Sequence, residues 1–167
     1  MLGLASWSFT TKPPLQVVKV LGGCLVVALA EEALFRGILL NHLVGVLGKA
    51  KGFALCSLVF AAVHLFRPGT WSFKLCYGLG LVLLAYLLAA IFDCHCSILA
   101  SAGFHAGVIL PNFFLQKQSF QESFWAGWNG EVVSGAVCWL ALGIWGSLWM
   151  VWFNRRRRDK SKRVSLS

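Results

Sequence analysis

Two adjacent carboxylates, a guanidinium and two imidazoles stand in otherwise apolar stretches of this chain. These side chains can move protons and stabilise developing charge. Glu31, Glu32 and Arg36 fall within six residues of the apolar run 25–40, His64 ends Phe60-Ala61-Ala62-Val63-His64, and His105 lies in Ser101-Ala102-Gly103-Phe104-His105-Ala106-Gly107. A charged residue at the centre of a membrane helix costs about 2.5–3.5 kcal/mol on insertion scales, so three within six residues call for a function. Glu32 and Arg36, four apart, share a helix face and can pair. Glu31 then sits about 100° round the helix with no partner in the neighbouring sequence, placed to accept a proton from water. If the stretch lay at a membrane interface both carboxylates would be hydrated, but the apolar residues on either side argue against that.

A lone histidine on an apolar helix is ordinarily a satisfied core or interface residue. His64 and His105 are singled out by company: three separate apolar helices each carry a costly polar element, and polar groups inside a bundle turn inward and meet. Gly103 and Gly107, four apart around His105, would let another helix approach closely.

The elements that must position these groups are apolar helices. Hydrophobic residues make up 58% of the chain and charged residues 13%, with a mean hydropathy of +0.73. A soluble domain is nearer half apolar and a quarter charged, so the surface is suited to lipid. The eight Trp agree, since Trp favours membrane interfaces. The pattern predicts an all-α, polytopic transmembrane bundle of about five membrane-spanning helices.

Residues 1–14 read as an N-terminal leader closed by Pro13-Pro14, without the features of a cleaved signal peptide. The core, 15–115, opens with an apolar stretch at 15–47. That is about 50 Å of helix against a hydrocarbon core of about 30 Å, so it is a long tilted helix or a span broken near Glu31. Gly48, Lys49, Lys51 and Gly52 form a basic turn before a helix at 53–66, which Arg67-Pro68-Gly69 stops. A third span covers 71–92, Asp93-Cys94-His95-Cys96 makes a polar break, and a fourth span at 97–115 is kinked by Pro111. A polar, aromatic-rich loop at 116–130 leads to a C-terminal transmembrane helix at 131–153 and a basic tail at 154–167.

The net charge of +9 is concentrated in that tail, in Arg155, Arg156, Arg157, Arg158, Lys160, Lys162 and Arg163. Such a block suits nucleic acid, but following directly on an apolar span it reads as a cytoplasmic anchor. It places the C-terminus and the Lys49/Lys51 turn inside, and Lys12, Arg67, Lys74 and Lys117 outside. The six cysteines are scattered, mostly within apolar runs, and imply no disulfide framework.

The arrangement resembles the CPBP family of intramembrane proteases, which includes the Ras-converting CAAX prenyl endopeptidases and bacteriocin-processing or immunity proteins. Glu31-Glu32-Ala33-Leu34-Phe35-Arg36 matches its EExxxR motif and Phe60 to His64 its FxxxH motif, and His105 has the order and spacing of its third element. The resemblance covers residues 15–112. It implies a membrane endopeptidase in which Glu31 and His64 activate a water, Glu32 and Arg36 hold the site together, and His105 stabilises the oxyanion. It also implies a membrane-associated protein or peptide as substrate and a bacterial cytoplasmic membrane as location. One position departs: the family's last element is HxxxN or HxxxD, and here the residue four after His105 is Ile109, which cannot donate a hydrogen bond. Asn112, two turns beyond His105, can substitute only if the helix bends at Pro111. Many relatives are longer at the N-terminus, so the chain reads as a minimal form or a truncated gene model.

Other chemistries compete. Glu31, His64 and His105 are a ligand set that can hold Zn²⁺, but no HExxH motif accompanies them, and a metal-free site is the expectation. Asp93-Cys94-His95-Cys96 offers soft ligands too closely spaced to close one tetrahedral site. A non-enzymatic immunity or binding protein, favoured by Ile109, and a small transporter or proton relay are the remaining readings; the partners expected are membrane lipid and a membrane-associated substrate, with no nucleic acid.

Overall fold

A computed structural model describes residues 12–114, 127 and 131–148. The basic tail, residues 149–153 of the last expected span and most of the 116–130 loop lie outside the described residues. The described fold is all-α. Helix α1 spans Pro14–Glu32, begins on Pro at its first position where the missing N–H is harmless, and passes directly into a π-helical segment, Ala33–Leu40. Helix α2, Asn41–Leu47, continues the same path, so residues 14–47 are helical throughout, with the winding altered immediately after the two glutamates. π-Helical turns inside α-helices are frequent at functional sites, where the wider i→i+5 winding re-aims the side chains around it. Here it buries Phe35, Arg36 and Leu40 together.

Gly48 reverses the chain at φ 78°, a conformation open to glycine at little cost, and α3 then spans Lys49–His64. The expected basic turn is therefore narrower than Gly48 to Gly52. Lys49, Lys51 and Gly52 already belong to α3, because the one left-handed residue suffices to fold α2 back along it. The missing side chain of Gly52 lets α3 approach the backbone of Val44.

Helix α4, Trp71–His95, opens on a Thr70 cap whose hydroxyl accepts from the Phe73 N–H at 3.2 Å. It runs past the expected polar break: Asp93, Cys94 and His95 stay helical, and Cys96 ends the helix in the left-handed region at φ 51°. Lys49 holds that end through an ion pair of 2.5 Å with Asp93. Helix α5, Ile98–Ile109, begins on a Ser97 cap (Ala100 N–H to Oγ, 3.4 Å) and is separated from the short α6, Pro111–Phe114, by Leu110. The interruption falls at Pro111, which has no N–H to continue the ladder. A 3₁₀ turn, Val132–Ser134, and α7, Ala136–Leu148, complete the description.

Helix α4 packs against α3 and α1 packs against α5. The main core gathers Phe35, Phe60, Phe73, Tyr77, Leu84 and Leu88, among others, from the π segment, α3 and α4. A second cluster of small side chains, Cys24, Ala28, Ala102 and Ala106, joins α1 to α5 at short range. The close approach beside His105 is thus made by alanines. Gly103 and Gly107 point outward with nothing within 4 Å of where a side chain would be, because the buried face of α5 carries positions 101, 102, 105 and 106.

The outer faces are apolar: Val26, Leu34, Ile38, Leu58, Leu75, Leu79, Leu99, Leu140 and Ile144 are all exposed, as expected of a surface solvated by lipid. Among the described residues, α4 is the helix long and apolar enough to cross a bilayer; α5 with α6, and α7, are shorter apolar helices.

Candidate active site

The junction between α1 and the π segment places Glu31 and Glu32 side by side with opposite fates. Glu32 and Arg36 are fully buried, and Oε1 of Glu32 lies 2.9 Å from Nη1 of Arg36. That contact is one of charge more than of hydrogen-bond alignment, and the guanidinium instead donates from Nη2 to the Ala85 carbonyl of α4 at 3.0 Å. It also lies 5.0 Å from the centre of the Phe60 ring. The pair tethers the first helical path to α3 and α4, and a buried charge pair of this kind serves as a registry device between elements. Phe35 meets the other side of the same cluster, edge-on to Phe60 with centroids 4.9 Å apart, and its carbonyl accepts from Cys56 Sγ at 3.4 Å.

His105 is 3% exposed and reaches Glu32 Oε1 through Nδ1 at 3.0 Å. Its Nε2 faces Glu31 Oε2 at 3.7 Å. His64 approaches the other Glu31 oxygen with Nε2, also at 3.7 Å, while its Nδ1 lies 2.7 Å from the Phe60 carbonyl one turn back. Because a carbonyl can only accept, that short contact puts a proton on Nδ1 and turns Nε2 toward Glu31. Phe60 stacks against His64 (centroids 4.5 Å) and stands edge-on to His105 (5.8 Å), fixing both rings.

The structure therefore brings Glu31, Glu32, Arg36, His64 and His105 together. Glu31, unpartnered in its own helix, lies between histidines of two others. Its side chain is 28% exposed and that of His64 23%, so the Glu31–His64 pair faces open space while Glu32 and Arg36 are sealed behind it. That space is a cavity of about 560 Å³ lined by Glu31, His64, His105, Ile109, Asn112 and Val133, among others. Among the described residues, no group of three His, Cys, Asp or Glu side chains has the arrangement of a metal site.

A family model, type II CAAX prenyl endopeptidase Rce1-like, matches residues 13–110. The chain belongs to this family. No curated protein and no solved structure matches the chain. The Rce1-like region contains Glu31, Glu32, Arg36, His64 and His105, and a peptidase-type activity in a membrane-associated protein is the function that membership carries.

The cavity has further polar walls: Arg67 and Glu131, which sequence reasoning did not select, and Asn112, which it weighed only as a substitute for the missing donor; Asn112 and Glu131 lie beyond the matched region. Glu131, 8% exposed, pairs through Oε1 with Arg67 Nη1 at 2.7 Å and accepts through Oε2 from Asn112 Nδ2 at 2.8 Å. Arg67 also donates to the Tyr77 hydroxyl at 3.2 Å. Read along the chain, Glu131 is a helix-flanking charge and Arg67 a loop charge, so only the meeting of distant segments gives them a role. A carboxylate placed directly before an apolar run was the one available signal. Ile109 lines the cavity, and it also borders the small-residue cluster joining α1 to α5.

Proposed function

We propose that this chain is an intramembrane endopeptidase that hydrolyses a peptide bond of a membrane-associated protein or peptide through a water activated by Glu31 and His64. The observation that carries the reading is the position of Glu31, 3.7 Å from Nε2 of both His64 and His105 and open to the cavity. A separation of 3.7 Å is too long for a direct hydrogen bond, and a water on the cavity side can reach Glu31 and a neighbouring imidazole together.

In this reaction the water donates one O–H to Glu31 and the other to the His64 Nε2 lone pair, and its oxygen attacks the carbonyl carbon as Glu31 takes up the first proton. The proton then passes to the leaving amine as the C–N bond breaks. His105 stands where the carbonyl oxygen becomes an oxyanion. In this role Nε2 of His105 carries the N–H that donates to the oxyanion. Glu32 and Arg36 support this geometry and take no part in bond making.

The chemistry needs no metal ion in this reading. The protein is embedded in lipid with its basic C-terminus on the cytoplasmic side of a bacterial membrane. The experiment that tests it is cleavage of a membrane-associated peptide by the purified protein in vesicles: wild type cleaves, and Glu31→Ala or His64→Ala abolishes cleavage while the helical circular-dichroism spectrum and melting temperature are retained. Full activity in either variant overturns the mechanism.

A second reading has a specific observation behind it. Ile109 faces the cavity where the family pattern places an amide or carboxyl side chain, which favours a catalytically impaired member that serves as an immunity or binding protein. It predicts stable association with a membrane partner and no cleavage.

A further inference from the structure

Glu131 is a buried carboxylate of the cavity that the proposed chemistry leaves unused. It is not placed by chance packing. Its own carbonyl accepts from the Ser134 hydroxyl at 2.6 Å and from the Ser134 N–H at 3.1 Å, closing the 3₁₀ turn. The next carbonyl but one, that of Val133, accepts from Trp139 Nε1 at 2.8 Å, which ties the turn to α7. The turn rests on α4 at Gly80, where any side chain would collide with the Val133 carbonyl. Glu131 is thus presented from a turn held at both ends.

Its two oxygens reach two different walls of the site. Arg67 is three residues beyond His64, and its backbone N–H donates to the His64 carbonyl at 3.4 Å. His64 is the last residue of α3, so no following helical turn holds it in place. Asn112 belongs to α6, at the end of the helical wall that carries His105. An ion pair between buried or half-buried groups adds little net stability but fixes one arrangement of the elements it joins.

We infer that Glu131 is a positioning residue: through Arg67 it holds the helix end that carries His64, and through Asn112 it holds the wall that carries His105. The inference rests on the peptidase reading for its consequence in rate, but its structural half stands apart from that reading. It makes the segment after the family-matched residues 13–110 a working part of the active unit.

The test uses the full chain in vesicles with an internally quenched, farnesylated peptide ending in a CAAX sequence as the probe. Glu131→Ala and Arg67→Met are each expected to lower kcat about tenfold while KM stays within about twofold, since a misplacement of an ångström or less carries a penalty of that order. The double variant is expected to be no slower than the slower single one, because the contact that Arg67→Met removes is already absent in Glu131→Ala. Glu131→Gln, whose oxygen can still accept from Arg67 and whose amide N–H can donate to Asn112 once that amide is turned over, should retain most of the rate and guards against a simple folding defect. In parallel, backbone hydrogen exchange at residues 64–67 should rise in Glu131→Ala and not in Glu131→Gln. An unchanged kcat with a raised KM, or losses that multiply in the double variant, overturns the inference in favour of a substrate gate or two independent roles. If wild type leaves the probe intact, the peptidase reading is what suffers; the exchange measurement still decides on Glu131, and unaltered protection at 64–67 refutes the bracing role.

Discussion

One oxygen of Glu32 lies 2.9 Å from Arg36 and 3.0 Å from His105, so a fully buried carboxylate links a guanidinium of its own helical path to an imidazole 73 residues away. Removing either charged partner leaves the other buried and uncompensated. Glu32→Ala and Arg36→Ala should each destabilise the fold by about 3–5 kcal/mol, whereas replacing both together by Leu and Met should cost less. Thermal unfolding in detergent micelles checks the order, and a double variant less stable than either single would contradict the pairing.

Glu31 has the opposite profile, because it faces the cavity and nothing seals it. Glu31→Gln keeps the size and shape of the side chain and removes its capacity to take a proton. Loss of at least about a hundredfold in rate is expected with little change in melting temperature. A variant that melts early but still cleaves would assign Glu31 to structure.

At position 109 the family pattern and this chain disagree, and the side chain faces the cavity. Ile109→Asn introduces a donor there and is expected to raise the cleavage rate by about tenfold or more if the oxyanion lacks a second donor. Steady-state kinetics on the single variant decide it. No gain would mean that another group already completes the site.

Zinc is the competing chemistry for Glu31, His64 and His105. The water-activating reading predicts that o-phenanthroline and EDTA leave cleavage unaffected and that added Zn²⁺ restores nothing, while a zinc enzyme would lose activity on dialysis against chelator and recover it with metal.

Cys96 ends α4 with φ 51°, a left-handed conformation that a residue with a Cβ adopts at some strain. Cys96→Gly relieves that strain and is expected to stabilise the protein by about 0.5 kcal/mol, the gain being reduced by the greater freedom of glycine in the unfolded chain. A fall in melting temperature would show that the thiol contact with the Asp93 carbonyl, at 3.8 Å, outweighs the strain.

The sequence by itself determined the all-α class, the approximate helices and the pairing of Glu32 with Arg36. Apolar periodicity and the i,i+4 rule are local properties, readable from a few neighbouring residues. It also singled out Glu31, His64 and His105, because ionisable groups in apolar helices are costly wherever the helices pack. Local patterns did not reach the π-helical winding after Glu32, which depends on how Phe35 and Arg36 must enter the core between α3 and α4. Nor did they reveal that alanines, and not Gly103 and Gly107, line the α1–α5 contact: rotation of a helix about its axis is set by its partners. The division of labour between adjacent glutamates was likewise a tertiary outcome. Glu31 and Glu32 are alike in type and context along the chain; the folding of α3 and α5 around them seals one against Arg36 and leaves the other between two imidazoles. The meeting of Arg67, Asn112 and Glu131 belongs to the same category, since three charged or polar residues in three separate segments acquire a common position only when the chain has closed around the cavity.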